Sequence, residues 1–262
     1  MDLIIFSGQS NMQGQSERLS ENAVVDNAYE YKWLTDELVP LKNPVGENIT
    51  CNKSHGYEVT TETKIPAWLD DHVTGSACFG HTNLVPEFCR TYTQNTAREV
   101  VAVHVAKGST TISQWLPKTK GYEVLCEKCH DAIKKVKPER IFFVWLQGES
   151  DAIFGTKKEE YKQLLCVLKD ALKSDVGIDK FGIIRVGRFT GDERDDEIIC
   201  AQDEICCDDY DFLMLTDIAT KLNEQKEYMN EQYSGHYNAK GLELLGKEAS
   251  KTLCKIYQVL SK

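Results

Sequence analysis

The chain begins with Met1-Asp-Leu-Ile-Ile-Phe-Ser-Gly-Gln-Ser-Asn-Met-Gln-Gly14, and this stretch decides the fold that the sequence predicts. Leu3 to Phe6 form a continuous apolar run that Ser7-Gly8 ends at once. Such a run is typical of a strand buried on both faces of a parallel sheet. Ligands of open parallel sheets bind outside the carboxyl ends of the strands, and Ser10 falls at that place.

Two roles for Ser10 are compatible with this position. A hydroxyl on a sharp turn between Gly8 and Gly14 is exposed on a rigid support, as an attacking nucleophile requires. Serine is also a preferred N-cap residue, so Ser10 alone equally predicts the start of a helix. The short stretch by itself favours the capping role, because capping serines are common.

Further along the chain, short apolar runs alternate with helical patterns. Strands are predicted from Val100, Ile141, Phe181 and Phe212, each followed by a polar turn, and amphipathic helices lie between them. This alternation indicates βαβ units and an α/β fold around a mostly parallel, five-stranded sheet. No repeat, low-complexity tract or linker interrupts the pattern, which predicts a single domain over residues 1–262.

Residues 15–80 differ from the rest of the chain. They are polar, carry turn signals such as Asn43-Pro44, and show no sustained period of two or 3.6. We therefore expect an irregular insertion here. Long loops in compact domains usually build lids or pocket walls, so the insertion is predicted to shape a binding pocket.

Composition restricts the partners and the location. The formal net charge is −10 and no periodic segment concentrates Lys or Arg, which argues against nucleic acid and anionic membranes as partners. No apolar stretch approaches the roughly 20 residues that span a bilayer. The first residues lack the basic region and cleavage site of a secretory signal, so a cytoplasmic protein is expected.

The ten cysteines are expected to be reduced and structural. Cys126 and Cys129 form a C-x-x-C pair inside a helical pattern, and the adjacent Cys206 and Cys207 are a poor chelating unit. These spacings do not favour zinc, and the sequence predicts neither a metal nor an organic cofactor.

Polar clusters follow the first three strands, and His236 precedes the last helix. A serine hydroxyl is a weak nucleophile unless a base accepts its proton, and histidine is the usual base. His236 is the best placed, with His81 and His104 as alternatives. The backbone N–H groups of Ser10 and Gly108 and the amide side chain of Gln147 are suitable donors for an oxyanion.

Four blocks resemble the SGNH-type hydrolases, and within them the carbohydrate acetylesterases that include sialate O-acetylesterases and acetylxylan esterases. They occur in the family order and span most of the chain: Gly8-Gln9-Ser10-Asn11-Met12, Gly108-Ser109-Thr110-Thr111-Ile112-Ser113-Gln114-Trp115, Trp145-Leu146-Gln147-Gly148-Glu149-Ser150-Asp151 and His236-Tyr237-Asn238-Ala239-Lys240-Gly241. The resemblance implies a three-layer α/β/α fold with a flavodoxin-like sheet. It also implies Ser10 as nucleophile, His236 as base, and oxyanion donors at Ser10, Gly108 and Gln147.

Two positions depart from the family pattern. Ser109 replaces the second glycine of a Gly-Gly-Thr block, which leaves either Gly108 or Ser109 as the oxyanion donor. Tyr233 stands three residues before His236, where many members carry the aspartate of a Ser-His-Asp triad. Glu149 or Asp217 could replace that acid, or a backbone carbonyl could hold the histidine in a Ser-His dyad, which we favour.

The sequence therefore predicts a serine esterase that removes O-acetyl groups from a sugar of the sialic acid or xylo-oligosaccharide type. Its expected partner is the acetylated sugar or oligosaccharide, and the oligomeric state stays open. A lipase or thioesterase on the same fold is one alternative, although it needs an apolar acyl groove. A carbohydrate-binding protein that lost the chemistry is the other, and Tyr233 is its only support.

Overall fold

The computed structural model describes residues 1–33, 35–46 and 81–260. Within them one sheet runs through the molecule. Its strands, in chain order, are β1 (Asp2–Gly8), β2 (Ala28–Lys32), β3 (Glu37–Pro40), β4 (Val100–Ala106), β5 (Arg140–Leu146), β6 (Lys180–Ile184) and β7 (Phe212–Thr216). Their spatial order is β3-β2-β4-β1-β5-β6-β7. All neighbours are parallel except β2 and β3, which confirms the mostly parallel α/β fold.

The predicted number of five strands is wrong, because the region 15–80 contributes β2 and β3 to the sheet. Strand β2 carries the charged residues Glu30 and Lys32, which conceal its strand character in the sequence. Glu30 is nevertheless buried, since it accepts hydrogen bonds from the Gly46 N–H (2.7 Å) and pairs with the Lys32 ammonium (2.9 Å). Residues 47–80, the rest of the predicted pocket-shaping insertion, lie outside the described residues.

Helices cover both faces of the sheet. The last helix packs on the helix before β4, and the two helices that flank β6 in sequence pack on each other. In chain order the described helices are α1 (Ser10–Gln13), α2 (Val85–Thr96), α3 (Lys120–Val136), α4 (Glu149–Phe154), α5 (Lys158–Asp175), α6 (Glu193–Asp208), α7 (Ala219–Asn223) and α8 (Ala239–Leu260), with short 3₁₀ helices at Ile112–Trp115 and Lys226–Tyr228. None of the helices in this part of the chain has the length and apolarity to cross a membrane.

The central strand β1 is buried over its whole length, as its unbroken apolar run predicts. It pairs with β4 on one side and β5 on the other, and Gly8 lies opposite both Ala106 and Leu146. The residues that follow these three strands therefore meet at one edge of the sheet. The strand order reverses beside β1, so this edge is the topological switch point where open α/β sheets bind ligands.

The loop that carries His236 reaches the same edge because α8 begins directly after it. The Asn238 side chain accepts a hydrogen bond from the Gly241 N–H (2.9 Å), so Asn238 caps the N-terminus of this helix. Leu242, Leu245 and Ala249 form a buried stripe along α8, and α8 packs on α2. Burial of this stripe fixes the helix start, and with it the position of His236.

Candidate active site

Ser10 is the first residue of α1, and Gln9 alone separates it from Gly8 at the end of β1. Gly8 makes the turn possible, because its φ is +148° and a Cβ on it would lie 2.0 Å from the Leu146 carbonyl oxygen. The first turn of α1 ends at once, since Gly14 takes a left-handed conformation. Ser10 is therefore held on a rigid turn at the switch point of the sheet.

The Ser10 hydroxyl and the His236 imidazole are hydrogen-bonded. His236 Nε2 lies 2.8 Å from Ser10 Oγ, and His236 Nδ1 lies 2.9 Å from the Ser234 carbonyl oxygen. A carbonyl can only accept, so the proton of the neutral imidazole resides on Nδ1. Nε2 is then the acceptor for the Ser10 hydroxyl, which is the tautomer that a general base requires.

Burial lowers the pKa of His236 below its ordinary value of 6.5, although its backbone hydrogen bonds oppose this. The side chain is 8% exposed, so its charged form loses most of its hydration. At neutral pH the imidazole is neutral and ready to accept a proton. Of the two other histidines that the sequence allowed as bases, His104 bonds the Met12 carbonyl oxygen at 3.0 Å, and the ring nitrogen that bonds the Ser10 hydroxyl is that of His236.

No described carboxylate is bonded to His236. Tyr233 occupies the position of the family's aspartate, and its ring centroid lies 6.5 Å from that of His236. Asp217 is exposed at the end of β7, where its carbonyl oxygen accepts from Arg185. Among the described partners of His236, the Ser234 carbonyl is the one that takes the place of a third acid.

Glu149 is buried, and its described side-chain hydrogen bond goes to Asn11 and not to the imidazole. Its Oε1 accepts from the Asn11 amide (2.8 Å), while Oε2 is buried without a partner among the described residues. Burial raises the pKa of Glu149. Asn11 in turn accepts from the N–H of Tyr237, next to His236 (3.3 Å). Glu149 therefore supports the backbone of both catalytic segments through Asn11.

The loop after β4 lies against Ser10. A Cβ on Gly108 would stand 3.3 Å from the Ser10 Cβ, so glycine permits this approach. The Gly108 N–H, however, donates to the Gln13 side chain at 2.7 Å. The N–H groups of Ser10 and Ser109 donate to no other described residue, and Ser109 takes a left-handed conformation with φ +61°. Of the two donors that the sequence left open, Ser109 is the available one.

Gln147 is not directed at Ser10, which corrects the predicted oxyanion role of its side chain. Its amide nitrogen donates to the Thr110 carbonyl oxygen (2.9 Å) and to Asp151 Oδ2 (2.5 Å), so both hydrogens are used. Its amide oxygen accepts from the Tyr161 hydroxyl (2.9 Å). The Gln147 side chain is fully buried, and its bond to the Thr110 carbonyl holds the loop after β4 in place.

Glu17 joins the segment that follows Ser10 to the segments on either side of His236. Glu17 Oε1 accepts from the Ala239 N–H at the start of α8 (2.9 Å), and Oε2 accepts from the Asn230 side chain (3.2 Å). Burial opposes ionisation of Glu17, but the hydrogen bonds from the Ser16 hydroxyl and the Ala239 N–H lower its pKa below the ordinary value. Sequence reasoning missed Gln13, Glu17 and the aromatic ring of Phe189, which lies against His236, because none of them has a local signature of its role.

The described cysteines are all free thiols. Burial raises the pKa of Cys126 to about 11 and that of Cys206 to about 12, so neither is a ready thiolate ligand at neutral pH. Over the ranges 1–33, 35–46 and 81–260, no three His, Cys, Asp or Glu side chains group as metal ligands.

The family is decided by a comparison with known protein families. The model of the SASA family, described as "Carbohydrate esterase, sialic acid-specific acetylesterase", matches residues 1–255. The chain belongs to this family. It is therefore a carboxylic ester hydrolase with an acetylated carbohydrate as substrate.

Individual relatives of this carbohydrate esterase are distant. It is 24% identical over 202 residues to the probable carbohydrate esterase At4g34215 of Arabidopsis thaliana, with 76% of this chain and 74% of the relative covered. The X-ray structure of that protein aligns with a TM-score of 0.61 at 15% identity over 95% and 96% of the two chains. The crystal structure of NanS gives 0.60 at 12% over 99% and 97%. Axe2, an acetylxylan esterase from Geobacillus stearothermophilus, gives 0.50 at 11% over 95% and 91%. These structures show the shared fold.

Proposed function

We propose that this carbohydrate esterase removes O-acetyl groups through a Ser10–His236 dyad, with Ser10 as nucleophile and His236 as general base. The observation that carries the proposal is the pair of bonds on the imidazole: 2.8 Å to Ser10 Oγ and 2.9 Å to the Ser234 carbonyl. The carbonyl fixes the tautomer, which is one of the two tasks of a triad aspartate. It carries no full charge, so it stabilises the imidazolium less than a carboxylate.

In the first half-reaction, Ser10 Oγ attacks the acetyl carbonyl carbon while its proton passes to His236 Nε2. The N–H groups of Ser10 and Ser109 would bind the oxyanion that forms, and each such donor contributes about 10²–10³ in turnover. The bond between the carbonyl carbon and the sugar oxygen then breaks. His236 returns its proton to that oxygen, the sugar leaves as an alcohol, and the acetyl group stays on Ser10.

In the second half-reaction, water takes the place of the sugar. His236 removes a proton from it, and the resulting hydroxide attacks the acetyl carbon. Collapse of the intermediate returns the proton to Ser10 Oγ and releases acetate. Gln147 and Glu149 touch no reacting atom in this scheme; they hold the loop after β4 and the segments of Asn11 and Tyr237 in place.

O-acetylated sialic acid is our first candidate substrate, and the description of the family model supports it. Acetylated xylo-oligosaccharide is the second, supported only by the fold shared with Axe2. Cytoplasmic location and a single domain complete the proposal. The free thiols of the eight described cysteines support the former, and one sheet built from residues 2–216, with α8 packed on α2, supports the latter.

The experiment measures acetate release from both sugar acetates, and p-nitrophenol release from its acetyl and butyryl esters. We expect the wild type to hydrolyse acetyl esters, and Ser10→Ala and His236→Gln to lose nearly all turnover. Ser113→Ala is the matched control, since this exposed serine of the neighbouring loop bonds, among the described side chains, only the Thr111 hydroxyl. Wild-type turnover by Ser10→Ala would disprove the dyad, and faster cleavage of butyryl than acetyl esters would favour the lipase alternative.

A further inference from the structure

An aromatic ring outside the four family blocks packs on the proposed base. The ring centroids of Phe189 and His236 lie 5.8 Å apart with an interplanar angle of 89°. Tyr233 adds a second perpendicular ring, 6.5 Å from His236 at 77°. Phe189 and Tyr233 are both partly exposed, whereas His236 is 8% exposed. The two rings therefore form a partly open aromatic wall beside the imidazole.

The His236 loop is shaped to accept this wall. Gly235 has a left-handed φ of +76°, and a Cβ on it would lie 2.3 Å from Phe189 Cε2. Any other residue would push the ring away from the imidazole. The close fit of the two loops, which come from distant parts of the chain, fixes where the Phe189 ring sits.

The backbone of Phe189 is fastened by one buried carboxylate. Asp195 Oδ1 accepts from the N–H groups of Phe189 (3.1 Å) and Thr190 (3.0 Å), and Oδ2 accepts from that of Gly191 (2.7 Å). Asp195 is 2% exposed and lies in the first turn of α6, where the helix dipole favours a negative charge. Three backbone N–H groups bonded to one buried carboxyl group hold the loop rigidly.

The chemistry of acyl transfer tells which part of the substrate meets this wall. A base that takes the nucleophile's proton and gives it to the leaving oxygen must lie between the two atoms. The leaving sugar oxygen therefore sits beside His236, and the acetyl oxygen points to the N–H donors of Ser10 and Ser109. Rings that flank His236 lie on the sugar side and not on the acetyl side.

We propose that Phe189, together with Tyr233, is the specificity-determining wall for the sugar alcohol, and that Asp195 is the positioning residue that holds it. This inference rests on the proposed function, since it takes His236 as the base. Sugar rings present C–H faces that bury well against aromatic side chains, whereas a small alcohol leaves the wall uncovered. The wall favours esters of ring-shaped alcohols and is indifferent to the acyl group.

The test compares two selectivities in the full-length enzyme: kcat/KM for an O-acetylated sugar over ethyl acetate, and for p-nitrophenyl acetate over the butyrate. Phe189→Ala is expected to lower the first ratio about threefold to tenfold, the range of one aromatic contact, and to leave the second unchanged. Phe189→Tyr, which keeps the ring, should restore the first ratio. A loss shared equally by both acetates would overturn the inference, because it would mean a merely structural role.

Asp195→Asn tests the anchor, and Asp196→Asn is its matched control, since Asp196 is an exposed neighbour paired with Arg188. We expect Asp195→Asn to lower the same ratio, and the double variant with Phe189→Ala to lose no more than either single one. Additive losses would overturn the positioning role. If Ser10→Ala stays active, the proposed function fails; if Ser10 and His236 are required and the ratio does not move, this inference alone fails.

Discussion

Replacement of Gln147 by alanine discriminates between the sequence-based and the structural account of this side chain. In the structure the variant removes the bonds to the Thr110 carbonyl and to Asp151, and the bond accepted from Tyr161. Asp151 keeps the Ile112 N–H (2.9 Å), and the Tyr161 hydroxyl keeps the Gln147 carbonyl oxygen (2.8 Å). The Thr110 carbonyl oxygen is therefore the group that the variant leaves without its hydrogen-bond donor.

The expected cost is a loss of stability. An unsatisfied buried polar group costs about 1–3 kcal/mol, and the cavity left by the truncated side chain adds to it. We expect about 2–4 kcal/mol in all, which lowers the melting temperature of a chain of this length by roughly 4–16 °C. Turnover measured well below the melting temperature should fall less than tenfold, roughly, because no oxyanion donor is lost.

Calorimetry or urea denaturation measures the stability, and initial rates on p-nitrophenyl acetate measure turnover. Gln114→Ala serves as the control, because this amide is on the outside of the same loop and bonds only Thr111 in the described part of the chain. It should cost about 1 kcal/mol or less, as removal of a cap does. An unchanged melting temperature with turnover lowered about 10²–10³ would refute the structural role and restore Gln147 as an oxyanion donor.

Three further outcomes follow from the dyad. The acid limb of the wild-type kcat/KM profile should have its midpoint below pH 6.5, because burial lowers the pKa of His236 and activity disappears as falling pH protonates it; a midpoint above 6.5 would contradict this. Tyr233→Asp should move that midpoint up by about one unit or more, since a nearby carboxylate favours the imidazolium; an unmoved limb would argue against a vacant acid position. Glu149→Gln and Asp217→Asn, tested as folded proteins, should each cost less than about tenfold, and a loss near 10⁴ from either would identify it as a triad acid.

The strands and helices with a continuous pattern of apolar residues could be predicted from the sequence. The apolar run of β1 placed Ser10 at a strand end, and the stripe of α8 placed His236 before a helix. Strand β2 could not be found this way, because it is short and buries Glu30 through contacts with Gly46 and Lys32. A charged residue in a sequence indicates a solvent-exposed position, and only the structure reveals the partners that allow Glu30 to be buried.

The direction of side chains was the other property that could not be predicted from the sequence. Gln147 was placed correctly at the end of β5, but its sequence position does not tell whether the amide faces the reaction or the loop beneath it. The direction of the amide depends on Asp151, which accepts from its nitrogen, and on Tyr161, which donates to its oxygen. Phe189 and Asp195 carry no motif at all, and only the fold brings the Phe189 ring, whose backbone Asp195 holds, to His236.

Covalent trapping tests most directly whether Ser10 is the nucleophile that His236 activates. The wild type and His236→Gln would be incubated with a fluorophosphonate that carries a small alkyl group, then digested and analysed by peptide mass spectrometry. We predict one phosphonylated residue, Ser10, in the wild type, in step with the loss of activity, and labelling slowed by orders of magnitude in His236→Gln because the base is gone. Inactivation with the label on any other residue, or equal labelling rates in the two proteins, would contradict the dyad.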